Sequence, residues 1–332
     1  DCYSAGSFGY PVFAGCPNLE TVTVGENVRT VPDNLFYGCA KMGGVTLPAG
    51  VTYIGDYAFA DCESMTSINL PFGVKSIGVS AFENCGALGG IVIPDSVTTI
   101  EPRAFGSCTA LTEVTVGSGV KCIDGYAFSL CSSLGSINIP DSVTEIGENA
   151  FDGCANLKTL HLPAEISVIG NYAFRNTTAL KSVTLPHQLT AYGGNPPFEN
   201  SGIEQVSFAG GMQNIGNTFA AAPHLRTVEI PDSVTEIGNN AFANCPQLTS
   251  VKLPPNLKHL GGNAFAGCTA LTNITIPKTL TTCGWSVFPS TNANVSGLTE
   301  ITFESGMTSI PEGLCRDAEN LRVAHIPYSV TE

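Results

Sequence analysis

Charged side chains are scarce in this sequence. They make up 13% of its 332 residues, whereas an average soluble protein carries about 25%. Only 14 residues are Lys or Arg, against 28 Asp or Glu, which gives a formal net charge of −14 at pH 7. Nucleic acids and anionic membranes are bound by clustered cations. The shortage of cations therefore argues against nucleic acid or an anionic membrane surface as the partner.

Long apolar runs and catalytic motifs are also missing. No apolar run approaches the roughly 18 residues of a membrane span, so we predict no membrane insertion in this segment. The sequence has no G-x-S-x-G, P-loop or G-x-G-x-x-G motif. It also has no C-x-x-C or H-x-x-x-H pair of metal ligands. We therefore predict no enzyme activity, no catalytic residue, no metal site and no cofactor.

What the sequence does contain is one repeat of 23 residues. Its most regular feature is an aromatic series: Phe13, Phe36, Phe59, Phe82, Phe105, Phe128, Phe151, Phe174, Phe198, Phe219, Phe242, Phe265 and Phe288, with Cys315 in the fourteenth place. We number each repeat from its leucine, as in the copy that begins at Leu134. Positions 4, 6, 10 and 13 are then aliphatic, position 7 is Pro, position 14 is Gly, positions 17 and 18 are Ala-Phe, and position 21 is Cys.

The repeat predicts its own local structure. Alternation at positions 3–6 is typical of a strand that buries positions 4 and 6, and Pro at position 7 lacks the N–H that would continue the ladder. Positions 10 and 13 predict a second short apolar segment. We expect Gly at position 14 to adopt a positive φ, and the A-F-x-x-C spacing predicts one helical or 3-10 turn. One copy buries too little to fold alone, so the copies must stack.

The units I-P-D-S-V-T-E-I-G-x-N-A-F-x-x-C, intact at 139–154 and 230–245, carry a family resemblance. The chain resembles the BspA-like class of leucine-rich repeats, found in surface proteins of bacteria and of some parasitic protists. The expected fold is a right-handed leucine-rich-repeat solenoid, mainly β. Its parallel strands would lie on the concave face, with short strands and 3-10 or helical turns on the convex side. The resemblance also implies an exported bacterial protein, at the cell surface or secreted, with an adhesive or ligand-binding role.

We expect residues 1–332 to form a single solenoid of about 14 units. The repeat is irregular at 186–222 and at 288–298. Two interpretations stay open there: ordinary drift in a surface loop, or a kink or projecting loop that shapes a binding surface. The sequence begins at Asp1 and stops in mid-repeat at Glu332, so both ends look truncated.

Most of the 13 cysteines share one position of the repeat. Position 21 holds Cys16, Cys39, Cys62, Cys85, Cys108, Cys131, Cys154, Cys245 and Cys268. We interpret them as a ladder of small, half-polar residues inside the coil, because Thr177, Ser201 and Ala222 take the same place. Cys2, Cys122, Cys283 and Cys315 lie off this ladder. Of these four, Cys122 at position 12 is the candidate for an exposed thiol.

The exposed strand face, formed by positions 2, 3 and 5, supplies the candidate contact residues. It is mostly Gly, Thr, Ser and Asn up to residue 138, and it carries charge over 158–252. The candidates are Lys158, His161, Lys181, Glu204, Arg226, Glu229 and Lys252. The alternative is that these are solvated charges without a partner. A second candidate surface consists of Tyr57, Tyr126 and Tyr172 at position 16 with Trp285 at position 15, either for contact with a protein or glycan or as edge packing.

Together these features favour a non-enzymatic binding module or adhesin at the cell surface. The expected partner is an extracellular protein, such as a host matrix protein, or a glycan, and we expect the module to be monomeric. Two other functions stay open. The repeats could form a structural spacer, or a glycan-binding accessory module of a larger surface protein.

Overall fold

The computed structural model describes residues 12–189, 191–192, 194–290 and 295–331. The chain divides into two compact units, unit 1 (residues 1–179) and unit 2 (residues 180–332), and each is described by itself. The prediction of one continuous solenoid therefore stays a prediction. In the irregular segments, residues 190, 193 and 291–294 lie outside the described residues, as does Cys2.

Unit 1 consists of short parallel strands, usually two in each repeat. The strands are β1 (Val22–Thr23), β2 (Thr30–Val31), β3 (Val45–Thr46), β4 (Tyr53–Ile54), β5 (Ser76–Ile77), β6 (Gly90–Val92), β7 (Thr99–Ile100), β8 (Glu113–Thr115), β9 (Cys122–Ile123), β10 (Ser136–Asn138), β11 (Glu145–Ile146), β12 (Thr159–His161) and β13 (Val168–Ile169). The first strands of the repeats form the pair β1-β3 and the sheet β6-β8-β10-β12. The second strands form β2-β4-β5 and β7-β9-β11-β13.

Unit 2 follows the same plan. Its strands are β14 (Ser182–Leu185), β15 (Ala191–Tyr192), β16 (Gln205–Phe208), β17 (Asn214–Ile215), β18 (Thr227–Glu229), β19 (Glu236–Ile237), β20 (Ser250–Lys252), β21 (His259–Leu260), β22 (Asn273–Ile276), β23 (Thr282–Cys283), β24 (Glu300–Phe303) and β25 (Val323–His325). The first strands form the sheets β14-β16-β18-β20 and β22-β24-β25. The second strands form β17-β19-β21-β23.

Side-chain alternation explains why the first strands form where they do. In β10, Ser136 and Asn138 are exposed while Ile137 is buried, as expected for one buried face. The register is set by the repeat, because Ser136 lies opposite Thr159 and Asn138 opposite His161, each 23 residues on. The predicted leucine-rich-repeat solenoid with parallel strands is thereby confirmed within each unit.

The phenylalanines of position 18 form the centre of the core. In unit 1, neighbouring rings from Phe13 to Phe174 are stacked with centroids 5.2–5.7 Å apart. In unit 2 the same holds from Phe198 to Phe288 at 5.4–6.1 Å. These distances lie within the range of favourable offset stacking. Each ring therefore packs against its copies in the adjacent repeats, which is why the phenylalanine is kept at a constant spacing.

The glycines at position 14 have a different role from the predicted one. None of those in the described residues has a positive φ. Instead they allow adjacent repeats to approach: a Cβ on Gly170 would lie 2.5 Å from the Glu148 N, and one on Gly284 would lie 2.1 Å from the Gly262 N. The Gly170 N–H donates to Ile146 O at 2.8 Å. The expectation of a positive-φ turn at this position is therefore wrong, because the constraint comes from the neighbouring repeat.

One replacement at position 14 coincides with a break in a sheet. Glu101 stands at this position directly after β7, and β7 belongs to a different sheet from β5 of the preceding repeat. Pairing resumes in the next repeat, where the Asp124 N–H donates to Ile100 O at 2.9 Å. A side chain at position 14 is therefore tolerated in places, and the glycines mark where the repeats come closest.

Positive φ occurs at positions 16 and 20 instead. In unit 1 these residues are Asn34, Tyr57, Ser80, Arg103, Tyr126, Asn149 and Tyr172 at position 16, and Gly15, Gly38, Asp61, Asn84, Ser107, Leu130, Gly153 and Asn176 at position 20. Hydrogen bonds with the predicted 3-10 spacing are present between them, for example from the Cys62 N–H to Phe59 O at 3.2 Å. The left-handed residues on either side prevent this turn from becoming a helix, and the described residues contain none.

The cysteine ladder lies inside the coil, as predicted. The Cys62 thiol donates to Phe36 O in the preceding repeat at 3.2 Å. The same bond, at 3.1–3.2 Å, is made by Cys39, Cys85, Cys108, Cys131, Cys154, Cys245 and Cys268. Every described cysteine is free, and Cys16 is the one ladder member that is exposed. The Phe carbonyl also accepts a backbone N–H, as Phe36 O does from Cys39 at 3.1 Å. The carbonyl therefore keeps a hydrogen bond when Ala replaces Cys.

Candidate binding surfaces

The strand face of unit 2 carries a line of charged side chains. Lys181 and Glu204 precede β14 and β16, and their Nζ and Oε1 atoms form an exposed ion pair at 3.0 Å. This hydrogen bond and the charge of Lys181 lower the pKa of Glu204, with a smaller contribution from Arg226. Exposed pairs of this kind contribute little to stability, because solvent screens the two charges. The pair therefore fixes the orientation of two charged side chains on the surface and adds little to the stability of the fold.

The remaining candidates of unit 2 continue this line. Arg226, Glu229 and Lys252 are all exposed. Glu229 in β18 lies directly opposite Lys252 in β20. In the described part of the chain, none of these three side chains forms an ion pair. The predicted patch is thus an exposed strip of alternating sign, in which three of the charges are free to meet a partner.

The candidates of unit 1 are two exposed residues of one repeat. Lys158 immediately precedes β12, and His161 is the last residue of that strand. Both are exposed. The small polar side chains predicted for the earlier repeats are found beside them, since Ser136 and Asn138 of β10 are also exposed.

The tyrosines of position 16 are largely engaged by arginines. The Arg103 Cζ lies 4.4 Å from the ring centroid of Tyr126, and the Arg175 Cζ lies 4.5 Å from that of Tyr172. The Tyr126 hydroxyl donates to the Glu148 carboxylate at 3.0 Å. Of these three tyrosines, Tyr57 alone is exposed. Of the two predicted roles for these residues, edge packing therefore describes Tyr126 and Tyr172 better than contact with a partner.

Leu130 on the same turn is strained as well as exposed. Its φ is 61°, a conformation that costs a non-glycine residue roughly 1–2 kcal/mol, and its side chain is 53% exposed. Asn occupies the equivalent position as Asn84 and Asn176 with φ of 58° and 60°. Sequence reasoning missed this residue because nothing in the repeat marked position 20 as left-handed.

We expect Leu130→Asn to stabilise the protein by about 1 kcal/mol, because Asn adopts the left-handed region more easily than Leu. The midpoint of urea unfolding should rise while the slope of the transition stays the same. Leu130→Ala is the matched control, since it removes the exposed side chain without the preference of Asn, and it should give no gain. Equal midpoints for the two variants would show that the strain is not released.

Cys122, the candidate for an exposed thiol, is only partly exposed. It is half-buried in β9. Burial, with the nearby charges of Glu145, Asp124 and Glu101, raises its pKa to about 11. The thiolate is the nucleophilic form of cysteine, so the raised pKa disfavours reaction of this thiol at neutral pH. Its side chain faces the carboxylates of adjacent repeats, which the sequence position alone did not indicate.

A cavity of about 490 Å³ lies in unit 2 beside Trp285. It is lined by residues 281–283 and Trp285 on one side and by Pro311, Glu312, Gly313 and Arg316 on the other. The Arg316 Cζ lies 4.5 Å from the Trp285 ring centroid, and the indole is still 65% exposed. The sequence did hold a signal for this site, since Pro311 stands at position 14, where Gly is usual.

Two classes of site receive no support from the structure. In the ranges described above, no group of three or more His, Cys, Asp or Glu side chains could hold a metal ion. Those ranges also contain no helix that is long and apolar enough to cross a bilayer.

Several bacterial proteins of known structure are similar to this chain. A leucine-rich repeat protein from Bacteroides ovatus shares 27% identity with a TM-score of 0.73, over 96% of this chain and 86% of its own. A leucine rich cell surface protein from Faecalibacterium prausnitzii shares 30% identity with a TM-score of 0.52, over 92% and 86% of the two chains. A leucine-rich repeat protein from Eubacterium ventriosum, at 23% identity with a TM-score of 0.51 over 83% of this chain and 82% of its own, shares the fold.

No curated protein matches the chain. A family does match it over nearly its whole length: BspA type leucine rich repeat region, in six copies, at residues 4–112, 98–219 and 216–332. The expected resemblance is therefore confirmed by an independent comparison. The chain belongs to the BspA-type leucine-rich-repeat family, a family of repeat scaffolds suited to protein interaction.

Proposed function

We propose that this protein is a non-enzymatic binding module of the bacterial cell surface or of the secreted fraction, an adhesin that recognises an extracellular protein. The observation that carries the proposal is the charged strip of unit 2, formed by Lys181, Glu204, Arg226, Glu229 and Lys252. It lies on exposed strands whose backbone is already paired with adjacent repeats. The side chains are therefore held on a rigid surface, where binding costs little ordering.

Similarity to a cell surface protein supports the proposed location. The match from Faecalibacterium prausnitzii, described as a leucine rich cell surface protein, covers 92% of this chain at 30% identity. Alternating charges favour a protein partner, because they impose register and reject wrongly charged surfaces. The chain has only 14 Lys and Arg residues, and three of them lie in this strip. This grouping of scarce cations on one face supports a role for them in binding.

The test removes the cations of the strip in the variant Lys181→Ser/Arg226→Ser/Lys252→Ser. The unmodified protein should bind at least one of the immobilised matrix proteins collagen, fibronectin and laminin saturably. We expect the variant to lose about tenfold in affinity, mainly through slower association, as is typical of charges at an interface rim. The loss should shrink at high salt, because exposed charges are screened.

The matched control is Lys121→Ser/Lys258→Ser/Lys278→Ser, which removes the same charge from exposed positions near the second strands. It should bind like the unmodified protein. Equal losses in the two variants would contradict the proposed strip. No saturable binding by the unmodified protein would favour the structural spacer, and loss of binding after deglycosylation of the immobilised proteins would favour the glycan-binding module.

A further inference from the structure

We propose that Cys283 and Cys315 are a disulfide-forming pair, which exchange with a small-molecule disulfide such as glutathione disulfide converts to a bond that ties the repeat beginning at Leu298 to β23. Both are free thiols in this structure. Of the proposed function, the inference uses only the location outside the cytoplasm, where disulfides persist. The bond is tested on the purified chain without a binding partner, so either proposal can fail without the other.

Both cysteines replace core residues of the repeat. Cys283 stands at position 13, where the regular repeats hold an aliphatic residue such as Ile237 or Leu260. Cys315 stands at position 18, which is Phe in the thirteen preceding repeats. Side chains at both positions point into the coil, since Ile237 and Phe242 are 0% exposed. Cys occurs once at position 13 and once at position 18, and the two occurrences fall in neighbouring repeats.

The structure brings these two residues together. The Cys283 thiol donates to Glu312 O of the next repeat at 3.2 Å, and Cys315 follows Glu312 by three residues on the same turn. Burial, and then the charge of Cys283, raises the pKa of Cys315 to about 11. The two thiols therefore lie within electrostatic range of each other, in a repeat that is already packed against β23.

This pair differs from the cysteine ladder in the direction of its side chains. The ladder thiols share one position of the repeat, so their Cβ atoms point the same way along the stack. Cys283 lies in β23 and Cys315 in a turn of the next repeat, so their side chains reach the core from different segments. A disulfide needs two Cβ atoms about 3.5–4.5 Å apart that face each other, which favours such a pair over a parallel ladder.

The pair is also more accessible than the ladder. Cys283 and Cys315 are half-buried, whereas the ladder members Cys245 and Cys268 are buried. Cys283 lines the cavity of about 490 Å³ beside Trp285. A small-molecule disulfide can therefore reach Cys283 from solvent, while the folded coil shields the ladder.

A covalent bond here would strengthen a weakly packed repeat. The stacked rings run as far as Phe288, and Cys315 takes the place of the next ring. Among the described residues, none after Leu314 is buried. The bond would thus replace a lost core contact, and the exposed repeat is free to adjust as the bond forms.

The exchange takes two steps. The Cys283 thiol loses its proton to solvent, and the thiolate attacks one sulfur of glutathione disulfide, whose S–S bond breaks and releases one glutathione thiolate. The Cys315 thiolate then attacks the Cys283 sulfur of the mixed disulfide and releases the second glutathione. In sum, the two protein thiols lose two electrons and two protons, and glutathione disulfide is reduced to two thiols.

Trypsin separates this pair from every other cysteine. It cleaves after Lys278 and Arg316, and the peptide between them holds Cys283 and Cys315 alone. The reduced full chain is incubated with glutathione disulfide at about pH 8, where more thiolate forms than at neutral pH. It is then unfolded in iodoacetamide, which caps the remaining thiols, and digested for mass spectrometry.

We expect this peptide to carry no cap and to be two hydrogen atoms lighter than its dithiol form, while the buried ladder cysteines are capped. Treatment with dithiothreitol before capping should restore two caps. The yield of the bond should be at least about tenfold higher than in a chain oxidised in urea, where many cysteine pairings compete.

Two variants remove one thiol each and restore the usual residue. In Cys283→Ile and Cys315→Phe, the remaining cysteine should carry a cap or one glutathione. Cys122→Ser, which removes another off-ladder cysteine, is the matched control and should form the bond like the unmodified chain. The oxidised chain should also unfold at a higher urea concentration than the reduced chain, because the bond closes a loop in the unfolded state. Cys315→Phe should lack this difference.

Three results would overturn the proposal. The first is a cap or a glutathione on both Cys283 and Cys315 with no bond between them. The second is an equal yield in the folded chain and in urea, which would show that the fold does not bring the thiols together. The third is an equal rise of the urea midpoint on oxidation in Cys315→Phe. The mass measurement on the unmodified chain decides the question if a variant fails to fold.

Discussion

Gly170→Ala should destabilise unit 1 by about 3 kcal/mol, the upper part of the range for overpacking. The added methyl group would lie 2.5 Å from Glu148 N and 2.6 Å from Gly147 C. Both atoms belong to the backbone of the preceding repeat, so no side chain can rotate away. The adjacent repeats must separate, and the hydrogen bond from the Gly170 N–H to Ile146 O is strained as they do. The free energy of urea unfolding measures the loss.

Gly135→Ala is the matched control in the same unit. A Cβ on Gly135 meets nothing within 4 Å, so the change should be neutral or stabilise by up to about 1 kcal/mol through the unfolded chain. Opposite signs for the two variants would establish close approach as the reason for glycine at position 14. A neutral result at Gly170 would show instead that the repeats can shift apart at little cost.

This glycine also shows what the sequence could and could not predict. The period predicted the strands, the stacked phenylalanines and the buried cysteines, because each depends on the spacing of apolar residues along the chain. The need for Gly at position 14 depends on the backbone of a residue 23 positions earlier. A position that needs a positive φ and a position that needs a close backbone approach both favour glycine, so the sequence does not distinguish the two. Coordinates of the neighbouring repeat were needed to separate them.

The positions with a positive φ could not be predicted from the sequence, for a related reason. Stacked repeats impose the same φ on whatever residue stands there, so Tyr126, Arg103 and Leu130 adopt it although none favours it. The candidate strip was easier to predict, because positions 2, 3 and 5 face solvent in every repeat and charges there are visible in the sequence. The cavity at Trp285 lay between these cases. Pro311 marked it in the sequence, but its walls come from two different repeats, which only the coordinates bring together.

The cysteine ladder should make the protein unusually sensitive to alkaline pH. Burial raises the pKa of Cys62, Cys108 and Cys245 to about 12. It also raises the pKa of Cys85, Cys131, Cys154 and Cys268 well above its usual value. In the unfolded chain these thiols titrate near 8.5. Below that pH both states hold the proton, and the thiols have no effect on the pH dependence of stability.

Above about pH 8.5 the unfolded chain releases protons that the folded chain keeps, so the free energy of unfolding falls as pH rises toward the folded pKa of about 12. Each thiol removes roughly 1.4 kcal/mol per pH unit. Seven thiols together remove on the order of 10 kcal/mol by about pH 9.5, which is comparable with the whole stability of a typical domain. Urea unfolding at a series of pH values, in the presence of a reductant, should show this fall.

Replacing two members of the ladder separates this effect from general alkaline damage. Cys131→Ala/Cys154→Ala is tolerable by the example of Ala222, which is buried at the same position. It should lower stability at neutral pH through the lost volume and flatten the fall above about pH 8.5 by roughly two sevenths. Return to neutral pH should restore the fold, because the event is a deprotonation and no bond is broken. A midpoint that does not change between about pH 8 and 9.5 would mean that the buried thiols do not couple to folding.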